Sequence, residues 1–390
     1  MKIGVDARFL THPQPGGFKT YTENLINALA RIDTENEYFL YTDRTPGDLF
    51  KIESPNFNLR TVSTGLPFIG VPWREQVRLI TSARKDRIDL FHSPCLTAPL
   101  FLSCPFVVTI HDMIWAFPEK YSKATSFSVK RKLMEWYNRY LPYYASKRAS
   151  AIVTVSYAAK KSIVEQLKID KDRVFVTHEA ANPIFKPIKD RKLIDNIRSK
   201  YNLPPNFIMA IGSADPRKNI RKLVEAFSRL PSELREKYNL VVIWTHSFLA
   251  HDLFKSIEKL GIKGDVKFLE YVPNEDLVFL YNAAALFVFP SLYEGFGLPP
   301  LEAMSCGVPV IAANNSSIPE VVDTAALLFN AENSEEISAT ITRALTDDSL
   351  RISLVEKGIT QAASFSWDKC GFETLNIYKS VYKHANRVVG

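Results

Sequence analysis

Two carboxylates, three glycines and three prolines crowd one short stretch of this 390-residue chain. Glu294 leads into Gly295, Phe296, Gly297 and Leu298; Pro299, Pro300, Glu302, Gly307 and Pro309 follow. Glycines let a backbone turn with positive φ and approach a ligand closely. Prolines suit the first turn of a helix, where a missing N–H costs little. Gly307 then reads as the end of a short helix. Free amides and the positive dipole end at its start form an anion site. An ionised carboxylate only accepts hydrogen bonds, so Glu294 in the loop and Glu302 in the first turn suit a ligand rich in hydroxyls. A pyrophosphate with hydroxyls on either side describes a nucleotide sugar.

Three other places carry chemistry. Gly212 opens a turn that reaches Arg217, Lys218 and Asn219. An adjacent Arg fork and Lys point charge suit a diphosphate. Gly16 and Gly17 lie between an apolar run and a helical pattern, without the G-x-G-x-x-G order of a dinucleotide fold. That counts against a nicotinamide enzyme. His111 and Asp112 close the apolar run that starts at Phe106.

These residues need elements to hold them. Apolar runs at 2–6, 38–42, 88–92, 106–111 and 151–155 alternate with helical patterns such as 21–32 and 130–144. Alternation of this kind predicts parallel sheets covered by helices. Residues 182–187 carry two prolines, and a second series of apolar runs begins at 207. The expected fold is α/β: two doubly wound Rossmann-like domains facing each other across a cleft, with the linker near 184–190. The domains are expected at 1–187 and 188–364. A helical tail at 365–390 is expected to cross back to the first. Ligands bind beyond the carboxyl ends of such strands.

Composition bounds the rest. Hydrophobic residues make 46% and charged residues 23%, which excludes a disordered or fibrous chain. No run approaches a membrane span. Asp6 and Arg8 interrupt any apolar core of a secretion signal, so a place in the cytoplasm or on the inner face of the membrane is expected. The four cysteines show no metal or disulfide spacing and are expected as buried thiols. The net charge is +7 and uneven. Residues 1–187 hold 26 Lys/Arg against 18 Asp/Glu; the remainder holds 23 against 24. Such asymmetry points to a polyanionic partner. Residues 123–148 interleave seven basic residues with Phe127, Trp136, Tyr137, Tyr140, Tyr143 and Tyr144. That pattern suits peripheral contact with an anionic membrane or a lipid-linked acceptor. No nucleic-acid motif accompanies it.

The 17 residues from Glu294 to Val310 resemble the Glu-x7-Glu signature of retaining glycosyltransferases of family 4 (glycosyltransferase group 1). The resemblance implies the GT-B architecture, with the acceptor side in 1–187 and the nucleotide-sugar side in 188–364, and transfer of a hexosyl unit from a nucleotide diphosphosugar to a saccharide or lipid-linked acceptor. Envelope or exopolysaccharide synthesis is the implied setting, with UDP-glucose first and GDP-mannose second as donor. It also implies that no metal or other cofactor is required. Arg217 and Lys218 are similar to the family's diphosphate-holding pair. Gly16 and Gly17 are similar to its Gly-Gly loop, whose amides approach the phosphates, although Lys19 stands where members often have glycine. His111 takes the place of a histidine near the reacting sugar carbon. Glu294 is implied for sugar hydroxyls, Glu302 for the ribose, and backbone near Val272 for the base. Domain closure would bring His111 and Gly17 to the donor. The catalytic set is then His111, Arg217, Lys218 and Glu294. The donor-binding set is Gly16, Gly17, Gly212, Val272, Gly295, Phe296, Gly297, Leu298 and Glu302. The alternatives are a nucleotide-sugar epimerase or phosphorylase on the same fold, or a non-catalytic nucleotide-sugar-binding protein.

Overall fold

The computed structural model describes residues 1–12, 16–45, 52, 54–65, 70–116, 129–244, 251–270 and 272–389. The described residues up to Glu179, with those from Ser366 onward, make one compact unit; Ala180–Phe365 make a second.

Each unit is built on a parallel sheet. In the first, β1 (Lys2–Asp6), β2 (Glu37–Thr42), β3 (Phe57–Thr61), β4 (Leu90–Ser93), β5 (Phe106–Thr109), β6 (Ala151–Thr154) and β7 (Val174–Val176) lie in the order 3-2-1-4-5-6-7. In the second, β8 (Phe207–Gly212), β9 (Asn239–Trp244), β10 (Val266–Glu270), β11 (Leu286–Phe289), β12 (Val310–Ala313) and β13 (Ala326–Phe329) lie in the order 10-9-8-11-12-13. Central strands are buried along their whole length and mostly apolar, with polar residues only at the carboxyl ends of β4, β5 and β6: these three in the first sheet, β11 and β12 in the second. Helices cover both faces, so such strands cannot alternate polar and apolar residues. Both orders reverse direction beside the first strand, between β1 and β4 and between β8 and β11. Loops leaving those pairs diverge and open the crevice in which doubly wound sheets bind ligands.

The expected break at 184–190 sits later than the observed boundary between Glu179 and Ala180. The proline-rich segment already belongs to the second unit. Phe185 packs edge-on against Tyr281 at 5.7 Å, and Ile188 N–H donates to Asn282 Oδ1 at 2.7 Å. The last helix, Trp367–Val389, lies with the first unit, alongside helix Gly17–Ile32. Gly371 permits this approach: a Cβ there would lie 3.0 Å from Ala28 Cβ. No helix among the described residues is long and apolar enough to cross a membrane.

Candidate functional site

In the second unit the site grows from the two strands at the reversal. β8 ends at Gly212, where any Cβ would come within 2.3 Å of Ile220 Cγ1. The bare glycine lets the helix Ile220–Ser228 close against the strand end. Asp215 then caps the turn Pro216–Lys218, its Oδ1 accepting from Arg217 N–H at 2.9 Å. Asn219 follows with φ +55°, a conformation that Asn tolerates better than most residues. Its amide donates to the carbonyls of Pro290 (3.1 Å) and Ala331 (2.8 Å), pinning the loops after β11 and β13 to this turn. Leu292 N–H donates to the Arg217 carbonyl at 2.8 Å. The turn carrying Arg217 and Lys218 is thereby fixed against the loop carrying Glu294.

The three charges meet there. Glu294 Oε2 accepts from Arg217 Nη1 at 3.1 Å, and Oε1 accepts from Lys218 Nζ at 2.7 Å. Arg217 also donates to the Tyr293 carbonyl and to Asp215 Oδ2. Ser291 Oγ donates to Glu294 Oε1, and Lys218 Nζ stands 5.6 Å from the centre of the Phe289 ring. Side-chain exposure is 15% for Arg217, 20% for Lys218 and 12% for Glu294. Burial alone would raise the Glu294 carboxyl, but Lys218, then Arg217, outweigh it and hold it below its ordinary value. Charge-assisted bonds in such a part-dry site are strong and preset.

Gly297, at φ +127°, turns the chain into the helix Leu298–Ser305. A Cβ there would also lie 2.9 Å from Ile318 Cδ1. The loop amides are held from behind: Glu294 N–H donates to Ser316 Oγ at 3.0 Å, and Ser317 Oγ reaches the carbonyls of Glu294 and Phe296. Phe296 is buried with its ring against Phe365. Two expectations need correction. Pro299 and Pro300 fill the second and third helical positions, so only Leu298 among the first three supplies an N–H. The helix start is poorer in amide donors than its dipole suggests. Glu302 stands at the fifth helical position, past the first turn. Its Oε2 accepts from the buried Tyr281 hydroxyl at 2.9 Å. Gly307 takes φ +74° and closes the helix, its N–H donating to the Met304 carbonyl. Val272 follows β10, which β9 separates from β8; its neighbour Tyr271 lies outside the described residues.

The first unit gathers the remaining predicted residues. Gly16 precedes and Gly17 opens the helix Gly17–Ile32. Both are exposed, and a Cβ on either would touch nothing within 4 Å. Phe18 and Tyr21, one and four residues on, stand edge-to-face with His111 at 5.0 and 4.6 Å. His111 Nδ1 lies 3.3 Å from Glu179 Oε1, and Nε2 lies 3.3 Å from the Pro94 carbonyl. Glu179, Tyr281 and Ser291 escape the sequence reading. Ser291 had a usable signal in its place three residues before Glu294; Glu179 and Tyr281 meet their partners only through the fold. The reversal of the first sheet also holds an unforeseen buried charge cluster. Asp6 pairs with Arg74 (2.9 Å) and Arg8 (2.6 Å), and Arg8 pairs with Glu75.

Of the basic stretch, residues 123–128 lie outside the described residues. Helix Val129–Arg148 turns Tyr137, Leu141 and Ala145 inward, while Trp136, Tyr140, Tyr143 and Tyr144 are exposed. These four fall at helical spacing along one face. Lys147 and Arg148 lie over the rings of Tyr143 and Phe101.

A cation pair, a carboxylate and a glycine turn thus meet at the reversal of the second unit's doubly wound sheet. Residues 15–183 match Glycosyltransferase Family 4, and residues 194–361 match Glycosyl transferases group 1. The chain is 37% identical over 300 residues to O-antigen chain mannosyltransferase B of Escherichia coli, covering 76% of each chain. It is 37% identical over 224 residues to the serotype-specific mannosyltransferase WbdA of Escherichia coli; that match covers 57% of this chain and 28% of WbdA. Sucrose-phosphate synthase from Thermosynechococcus elongatus has the same fold, with a TM-score of 0.75 at 19% identity over 98% of this chain and 99% of that one. The chain belongs to the group 1, family 4 glycosyltransferases and has the GT-B fold.

Proposed function

We propose that the chain transfers a mannosyl unit from GDP-mannose to a hydroxyl of a growing surface polysaccharide, with retention at the anomeric carbon. The mannosyl activity named for two relatives favours GDP-mannose over UDP-glucose, the donor that the sequence reading put first. The observation that carries the reading is the joined set of Arg217, Lys218 and Glu294 at the β8–β11 reversal.

The reaction follows from that chemistry. As the C1–O bond lengthens, negative charge gathers on the diphosphate and an oxocarbenium-like centre develops. Arg217 and Lys218 receive the charge, together with loop amides from Gly295 to Leu298. Glu294 accepts from hydroxyls of the sugar, Glu302 from the ribose, and backbone near Val272 pairs with the base. Gly212 keeps the approach to the phosphates clear, and amides at Gly16 and Gly17 add donors. His111 orients the sugar. The acceptor attacks from the face that the phosphate leaves, and the departing oxygen takes its proton. The protein cations carry out the charge neutralisation a metal would otherwise perform, so the reaction is metal-independent. The exposed aromatic face of helix Val129–Arg148 seats the protein on an anionic membrane beside a lipid-linked acceptor.

The test is donor screening with GDP-mannose and UDP-glucose, read by thermal stabilisation and by transfer, with and without a metal chelator. A ligand at 100 times its Kd adds about 2.7 kcal/mol of stability. Stabilisation and transfer with UDP-glucose alone would overturn the mannosyl assignment. A β-linked product, seen by NMR, would overturn retention.

A further inference from the structure

Behind His111 the first unit buries a line of polar groups that none of the roles above employs. It starts in the last helix, where Tyr378 OH lies 2.5 Å from His92 Nδ1. His92 Nε2 lies 2.8 Å from Thr109 Oγ1, at the end of β5. Thr109 Oγ1 lies 3.4 Å from Tyr21 OH, and the Tyr21 ring stands at 88° to that of His111. Tyr378, His92, Thr109 and Tyr21 are each 0% exposed. From the other side, Glu179 Oε1 lies 3.3 Å from His111 Nδ1.

Stability does not ask for this arrangement. Each buried polar group costs free energy unless it is bonded. What a fully bonded line does supply is a fixed geometry. Burial keeps the Tyr378 hydroxyl protonated, so it donates to His92 Nδ1. Burial and, next, the nearby His111 push His92 down to about 3, so its ring is neutral. With Nδ1 accepting, the ring proton is on Nε2 and is donated to Thr109. The Thr109 proton is then free for the Tyr21 oxygen. The donors from Tyr378 through Thr109 then run one way, from the last helix to the Tyr21 hydroxyl.

We propose that Tyr378, His92 and Glu179 are positioning residues: the first two set the His111 ring through Thr109 and Tyr21, and the third holds its Nδ1 edge. The proposal rests on the reading of His111 as the residue that orients the donor sugar. It gives the last helix a part in turnover, although that helix begins 256 residues after His111.

The test uses the full-length protein and GDP-mannose. Tyr378→Phe and Glu179→Gln preserve shape, and each is compared with His111→Ala. The expected result is a fall in kcat of about 10- to 100-fold for Glu179→Gln, the range for a group bonded directly to the far edge of a working imidazole, and a smaller fall for Tyr378→Phe, which acts through three intervening residues, with donor KM unchanged. Imidazole nitrogen signals of His111 should shift in both variants, and neither substitution should lower kcat further in the His111→Ala background. Melting curves identify any variant that has lost its fold, and Glu179→Gln serves where Tyr378→Phe does. Wild-type kcat in both variants, beside an inactive His111→Ala, overturns the positioning proposal alone. So does an additive loss on top of His111→Ala. A fully active His111→Ala overturns the role of His111 itself, and the positioning proposal with it.

Discussion

Lys218 Nζ lies 2.7 Å from Glu294 Oε1 across a sequence separation of 76 residues. Their strands, β8 and β11, are hydrogen-bonded neighbours, so residues just past the two carboxyl ends converge. The contact sets the charge state in which the site meets its ligand. Glu294 neutralises part of the cation pair, and under the proposed function the donor diphosphate competes with it for Arg217 and Lys218.

Substitutions at these positions should therefore diverge in binding while agreeing in turnover. Lys218→Ala should weaken GDP binding and reduce transfer by about 10²–10³, the effect of deleting one preset donor to developing charge. Glu294→Gln should also lose transfer, yet bind GDP more tightly because the cations are no longer opposed. Titration calorimetry on both variants checks the signs; tighter binding to Lys218→Ala would contradict the scheme.

The same carboxylate gives the fold a pH signature. A carboxyl held below its ordinary 4.5 by cations stabilises the native state above that value and stops doing so as pH falls through its lowered one. The melting-temperature gap between wild type and Glu294→Gln should stay constant at neutral pH and close progressively below about pH 4.5. A gap that persists in strong acid would mean that the cations do not hold the carboxylate.

Gly212 tests how tightly the turn is packed. Gly212→Ala places a methyl on Ile220, and overpacking of this kind costs about 1–3 kcal/mol. Trimming the neighbour with Ile220→Val should return part of the loss. Denaturant melts of the single and double variants measure it, and purely additive losses would argue against the contact.

The proposed membrane seating is tested at the exposed rings of one helix. Replacing Trp136 and Tyr140 with Ala should reduce sedimentation with vesicles containing anionic lipid, while transfer to a soluble acceptor is retained. Undiminished sedimentation would remove this helix from the membrane contact.

Much of this was legible in the sequence. Apolar runs announce buried parallel strands, so β1 is expected and found at residues 2–6. The glycine-carboxylate stretch announces the loop after β11. The edge strands of the first sheet leave no such trace, unlike β10 and β13 at the edges of the second. β3 pairs only with β2 and has three exposed residues of five, and β7 has only three residues; neither needs an apolar run. Asn219 looks like an ordinary polar residue until its amide is seen tying three loops together. Glu179, His92 and Tyr378 are silent for a related reason: each acquires its partner from a distant element, and no local spacing encodes that meeting.

The seat of Gly371 on Ala28 bears on how the protein comes off the ribosome. The described residues of the second unit form one uninterrupted stretch, Ala180–Phe365, whereas the first unit includes the final helix, which lies along a helix near its beginning. Because segments fold as they are synthesised, the half that emerges later can finish first. The earlier half must wait, with the face around Ala28 uncovered, until translation reaches Trp367.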